Sequence, residues 1–122
     1  MAAENRQVTR YKEIGQVVSP ELCAISGILD DISLTGCKIH FPCPVIVDME
    51  NEYELEISVS RGPDETPLHL MCQPQWSNEE NGITQIGLKV LFSPDANKLK
   101  ELIAFLESEI EDDILSEIKK DS

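Results

Sequence analysis

In ENEYELEISVS, residues 50–60, Glu50, Glu52, Glu54 and Glu56 alternate with Tyr53, Leu55, Ile57 and Val59. A period of two is that of a β-strand with one wet, acidic face and one buried, apolar face. The acid row reads as a solvated face. The same period recurs on both sides of this segment. KEIGQVV (12–18) is a short strand ended by Ser19-Pro20, and LCAISGILDDIS (22–33) is a second, weakened by Gly27. In GCKIHF (36–41), Cys37, Ile39 and Phe41 share one face, and Lys38 and His40 take the other. After the loop RGPDETP comes LHLMCQPQW (68–76), where Pro74 predicts an edge position or a bulge. SNEENG (77–82) reads as a turn, and ITQIGLKVLF (83–92) as a sixth strand with Ile86, Leu88, Val90 and Phe92 on one face.

The period then changes. Ser93 suits an N-cap, Pro94 the first helical position and Asp95 the positive helix end. Leu99, Leu102, Ile103, Leu106, Ile110, Ile114 and Ile118 fall at helical spacing, predicting a helix from Pro94 to about Lys119. Its first half is expected to cover the sheet. Its second half outruns what a small barrel can cover; fraying, folding back and pairing with a partner helix are the outcomes open to it, and partner contact, a second copy of the chain included, is the one expected. Together these elements predict a mainly β fold: a six-stranded antiparallel barrel with a C-terminal α-helix. Residues 1–12 read as an arm, 13–111 as barrel and packing helix, and 112–122 as an acidic helix extension or tail.

The chain has 122 residues and a formal net charge of −13. Duplex nucleic acid is a poor partner for such a charge, because binding it depends on neutralising many phosphates. No run approaches the ~20 apolar residues of a membrane span, and the N-terminus lacks an apolar signal-peptide core, so a cytoplasmic location is expected. Cys23, Cys37, Cys43 and Cys72 form no Cys-x-x-Cys pair. Cys37, His40 and Cys43 are closely spaced, but on a strand His40 diverges from the cysteines, so reduced thiols without a metal are expected. His40 and His69 lie on separate strands and in no nucleophile motif, and no Gly-rich phosphate loop is present, which argues against an enzyme.

Against the acidic background the first twelve residues hold Arg6, Arg10 and Lys12 against Glu4 alone. Arg6-x-x-x-Arg10 (RQVTR) is followed, after twenty residues, by Asp31-x-Ser33-x-x-Gly36 (DISLTG). Either motif alone is unremarkable: Asp and Ser bond nearby backbone, and Gly supplies positive φ or a tight bend. In this order and separation they resemble the signature of the PilZ domain, a bacterial receptor for cyclic di-GMP. GCKIHF resembles the strand after the family's glycine, and WSNEENGITQIGLKVLF its last hairpin, so the likeness spans about residues 5–110.

The resemblance implies a stand-alone PilZ protein that binds cyclic di-GMP, closes its arm over it and signals through a downstream protein. It implies that Arg6 and Arg10 contact guanine and phosphate, that Asp31 and Ser33 hold the base or shape the turn, and that Gly36 lets the backbone bend. The chemistry is apt. Guanine N7 and O6 accept a bidentate Arg, and its N1–H and N2 donors suit a carboxylate such as Asp31. Guanidinium also matches phosphate. In some members an aromatic near the last hairpin stacks on guanine, which makes Trp76 either a stacking platform or a core or rim residue. Asn5 occupies the position whose occupant influences whether one or two ligands bind; an Arg there favours the stacked pair, and Asn leaves the number open. The competing reading is a ligand-independent interaction module acting through the acidic helix. A flavin-binding split barrel has no supporting motif.

Overall fold

The computed structural model describes residues 11–59, 67–93 and 95–121, with side chains described for 11, 15–59, 67–93 and 95–109. Six strands are present: β1 (Tyr11–Ser19), β2 (Cys23–Ile32), β3 (Gly36–Phe41), β4 (Tyr53–Val59), β5 (Leu68–Glu80) and β6 (Ile83–Phe92). One helix, α1 (Ala96–Asp121), follows. The strands close into a barrel in the order β1-β2-β3-β6-β5-β4, every neighbouring pair antiparallel. Closure leaves no strand with an unpaired edge, which is how a small sheet avoids both water-exposed amides and edge-to-edge aggregation.

The apolar parity read from the sequence supplies the interior. Val17, Leu29, Ile39, Phe41, Leu55, Leu70 and Ile86 are fully buried, with Cys37 and Cys72 among them as small hydrophobes. β4 alternates as its sequence predicts, Tyr53, Leu55 and Ile57 inward and Glu54 outward. Leu99, Leu102, Ile103 and Leu106 of α1 join the same buried cluster, and α1 lies nearest β5. The helix start is pinned there. Asp95 accepts from the His69 backbone N–H at 2.8 Å and from its Nδ1–H at 3.2 Å, while Ser93 Oγ donates to the His69 carbonyl and caps Asp95 N at 2.9 Å. These bonds hold the Asp95 carboxyl below the usual carboxylate range, the His69 backbone N–H contributing most.

Several expectations are corrected. SNEENG is not a six-residue turn: β5 continues to Glu80 and pairs with Ile83. Only Asn81 and Gly82 turn, with φ of 56° and 80°. Two positive φ values in an Asn-Gly pair suit a tight hairpin whose twist matches its strands, so the polar residues before it stay paired. β1 begins at Tyr11, one residue before the expected Lys12, because Tyr11 and Lys12 pair with Ile32 and Asp31. Of the two positions expected for Pro74 the bulge is the one found, since a closed barrel has no edge: the β5–β6 register shifts between Pro74 and Trp76. Phe92 leaves the apolar face of β6 and is 64% exposed, where the strand ends and the chain turns into the helix. Pro94, Ser60 at the end of the expected fourth strand, residues 61–66 of the expected loop, and the side chains of Ile110, Ile114 and Ile118 lie outside the described residues.

Candidate functional site: a row across the outer barrel face

Ser33 and Gly36 build the turn between β2 and β3. Ser33 is fully buried, and its Oγ accepts from Thr35 N–H (3.2 Å) and Gly36 N–H (3.1 Å) while donating to the Gly36 carbonyl (3.2 Å). Its own N–H donates to the same carbonyl at 2.8 Å. The hydroxyl is thereby committed to shaping the turn. Gly36 is needed for a different reason than positive φ, which among the described residues occurs only at Asn81 and Gly82. A Cβ at Gly36 would sit 2.6 Å from the Leu88 carbonyl oxygen. The missing side chain lets β3 close against β6.

Asp31 owes its direction to a bulge. Leu29 pairs with Ile39 and Ile32 with Cys37, all four facing the core, while Asp31 pairs with Lys38. Two residues, Asp30 and Asp31, thus fall between inward positions that strict alternation would separate by one. Both carboxylates consequently stand on the outer face. Asp30 accepts from His40 Nδ1–H at 3.0 Å through both oxygens. His40 and Cys37 lie on opposite faces of β3, and Cys43 Sγ instead contacts Cys23 Sγ at 3.4 Å. That contact and partial burial push the Cys43 thiol up. The described residues contain no group of three His, Cys, Asp or Glu able to hold a metal.

Trp76 is turned by the second bulge. Leu68, Leu70, Cys72 and Pro74 point inward, and unbroken alternation would send Trp76 after them. The extra residue Gln75 reverses the parity, so Trp76 pairs with Gly87 on the outer face and is 43% exposed. Its indole lies on the glycine: a Cβ at Gly87 would come 2.2 Å from Trp76 Nε1 and 2.4 Å from Cε2. The indole is thus covered on the glycine side while much of the residue stays exposed to solvent.

The registers join these residues into a single lateral row. Lys12 is paired to Asp31, Asp31 to Lys38, Lys38 to Gly87, and Gly87 to Trp76. At about 4.8 Å between strands, Asp31 and Trp76 lie roughly 14 Å apart along the row. The parallel row beside it runs Ile28, His40, Gln85, Asn78. Thus Asp31 and Trp76, read from the sequence as separate candidates, share one surface, with Ser33 and Gly36 forming the turn beside it. Arg6, Arg10 and Asn5 lie outside the described residues. Lys38, Gly87 and the Asp30–His40 pair were missed by sequence reading. The alternation in GCKIHF does send Lys38 and His40 outward, but nothing local says which residues flank them.

A concavity of about 520 Å³ lies elsewhere on the barrel, lined by Val18, Glu21, Glu52, Glu54, Glu56, His69 and Met71. Its carboxylates oppose an anionic ligand, which separates it in character from the row.

Two solved structures share this architecture. The Bacillus subtilis inhibitor of motility, MotI/DgrA, matches with a TM-score of 0.68 at 12% identity, covering 88% of this chain and 51% of that one. YcgR from Escherichia coli, crystallised in complex with c-di-GMP, matches with a TM-score of 0.69 at 17% identity, covering 91% and 50%. This chain spans about half the length of each, and at such identities the likeness is one of fold. No curated protein sequence matches significantly. The sequence model of the PilZ domain matches residues 4–108. With that match over most of its length, and with the barrel it leads one to expect, the chain belongs to the PilZ domain family.

Proposed function

We propose that this protein is a receptor for cyclic di-GMP, acting by binding rather than by catalysis. The observation that carries the reading is the outward placement of Asp31, in one cross-strand row with Trp76 and beside the point where the N-terminal segment joins the barrel. Tyr11 pairs with Ile32 and Lys12 with Asp31. Arg10 directly precedes Tyr11 in the chain, and in this reading the arginine motif reaches the ligand from there. In the proposed complex Asp31 takes the N1–H and N2 donors of a guanine, while Arg6 or Arg10 takes O6 and N7. Trp76 offers a stacking face. Adenine presents a donor where the arginine needs an acceptor, so cyclic di-AMP is rejected. The c-di-GMP complex of YcgR supports the ligand class through the shared family and fold.

The arm closes over the bound dinucleotide, and ordering it is the first step of signalling. The second step passes to a partner. Among the described side chains the last buried helical residue is Leu106, yet α1 continues to Asp121, on the order of 20 Å farther at 1.5 Å per residue. That extension is where a downstream protein or a second copy of the chain docks, in the bacterial cytoplasm. Among the described residues no helix is long and apolar enough to cross a membrane.

Isothermal titration tests the reading. Wild type is expected to bind cyclic di-GMP and not cyclic di-AMP, and Arg6→Ala, Arg10→Ala and Asp31→Ala each to lose affinity. Silence of the wild type at micromolar ligand, or undiminished binding by the arginine variants, refutes it. Amide hydrogen exchange in residues 1–12 tests closure: equal protection with and without ligand excludes it.

A further inference from the structure

The row that carries Asp31 and Trp76 has a cation at its centre. Lys38 stands between them, paired to Asp31 on one side and to Gly87, the seat of the indole, on the other. Its neighbours along β3, Cys37 and Ile39, are fully buried, so alternation fixes Lys38 on the outer face. Lys38 is half-buried, and the cross-strand position beside it is Gly87, which has no side chain of its own and carries the Trp76 indole. Lys89, the other described cation on the neighbouring strand, lies in the next row, opposite Gly36 and Gln73.

We infer that Lys38 is a phosphate-binding residue of this site, built into the barrel and absent from the sequence signature. The inference rests on the cyclic di-GMP reading above and extends it. Such a ligand alternates bases with phosphates. The row alternates in kind: a carboxylate for the base edge, an ammonium, then an aromatic face for stacking. A phosphate next to the guanine held by Asp31 would face that carboxylate, and the Lys38 ammonium on the adjacent strand offsets the repulsion. In a chain of net charge −13, a local cation is what makes the surface hospitable to an anion, because charges farther than about 8 Å are largely screened at physiological salt. Lysine serves phosphate as a point charge and needs no planar fork, so its geometric demand is lower than that of the arginines. The barrel cation sits on a paired strand and is in place before the ligand arrives.

Titrations of cyclic di-GMP against wild type, Lys38→Met and Lys38→Arg, each at low and high potassium chloride, test this. Lys38→Met is expected to weaken binding roughly tenfold or more, the range for a hydrogen bond to a charged group, and to bind with a shallower salt dependence. Lys38→Arg is expected to stay within a few-fold of wild type. Lys38 points away from the core, so both variants should fold, and thermal melts confirm it. If wild type binds and Lys38→Met binds equally well, the inference fails while the receptor reading stands. If Lys38→Met is weakened but keeps the wild-type salt dependence, Lys38 only positions Asp31, and the phosphate role is overturned. If wild type itself does not bind, the receptor reading falls first and takes this inference with it.

Discussion

Replacing Gly87 by alanine tests the seat of the indole. The new Cβ would meet Trp76 Nε1 at 2.2 Å, Cε2 at 2.4 Å and Cδ1 at 2.9 Å. Ordinary carbon contacts begin near 3.5 Å, so the ring must retreat by more than ~1 Å or swing away. The backbone cannot yield instead, because Gly87 is paired to Lys38 on one side and Trp76 on the other. Trp76 is 43% exposed, so a little over half of its surface is covered, roughly 100–140 Å² for a side chain of this size. Losing most of that contact costs about 2–3 kcal/mol at 25 cal/mol per Å². Alanine returns ~0.5–1 kcal/mol through its lower conformational entropy in the unfolded chain. The net loss is about 1–2 kcal/mol, or on the order of 5–10 °C in Tm for a domain of this size. Trp76 is the only tryptophan, so its fluorescence reports both events without a label. The native emission of Gly87→Ala should shift to the red, the urea midpoint should fall, and affinity for cyclic di-GMP should drop because the stacking face has moved. An unchanged emission maximum together with an unchanged midpoint would show that the indole does not rest on Gly87, and the row would lose its aromatic end.

Two further outcomes follow from the turn and the helix start. Ser33→Ala leaves the Thr35 N–H and the buried Gly36 N–H without their acceptor, which should cost ~1–3 kcal/mol by chemical denaturation; a midpoint equal to wild type would mean that the hydroxyl is dispensable. The Asp95 carboxyl is held below its ordinary range by His69, so it stabilises the fold above the unfolded carboxylate pKa. That stabilisation fades as pH falls through the lower, folded value. Asp95→Asn should therefore melt below wild type at neutral pH and converge with it in acid, and a gap that is constant from neutral to strongly acidic pH contradicts the linkage.

Much of the architecture was legible from local pattern. The two-residue period of ENEYELEISVS and ITQIGLKVLF supplies strands with one oily face, and the change of period after Ser93 supplies a helix. The spacing of Arg6, Arg10, Asp31, Ser33 and Gly36 named the family before any geometry. The polar run Ser77–Glu80 was misread because its composition is that of a turn, whereas its hydrogen bonds come from the opposite strand.

What the linear pattern alone determined about this protein is therefore its strands, its helix and its signature residues. Tertiary structure alone decided where those residues face. Strict alternation sends both Asp31 and Trp76 toward the core, and a bulge in β2 and another at Gln75 bring them out. A bulge is a mismatch between two strands, and its partner residues lie far away in the chain. Periodicity within one strand does not place it, and Pro74 signalled only an edge or a bulge, so the row from Asp31 through Lys38 to Trp76 exists only once the barrel has closed.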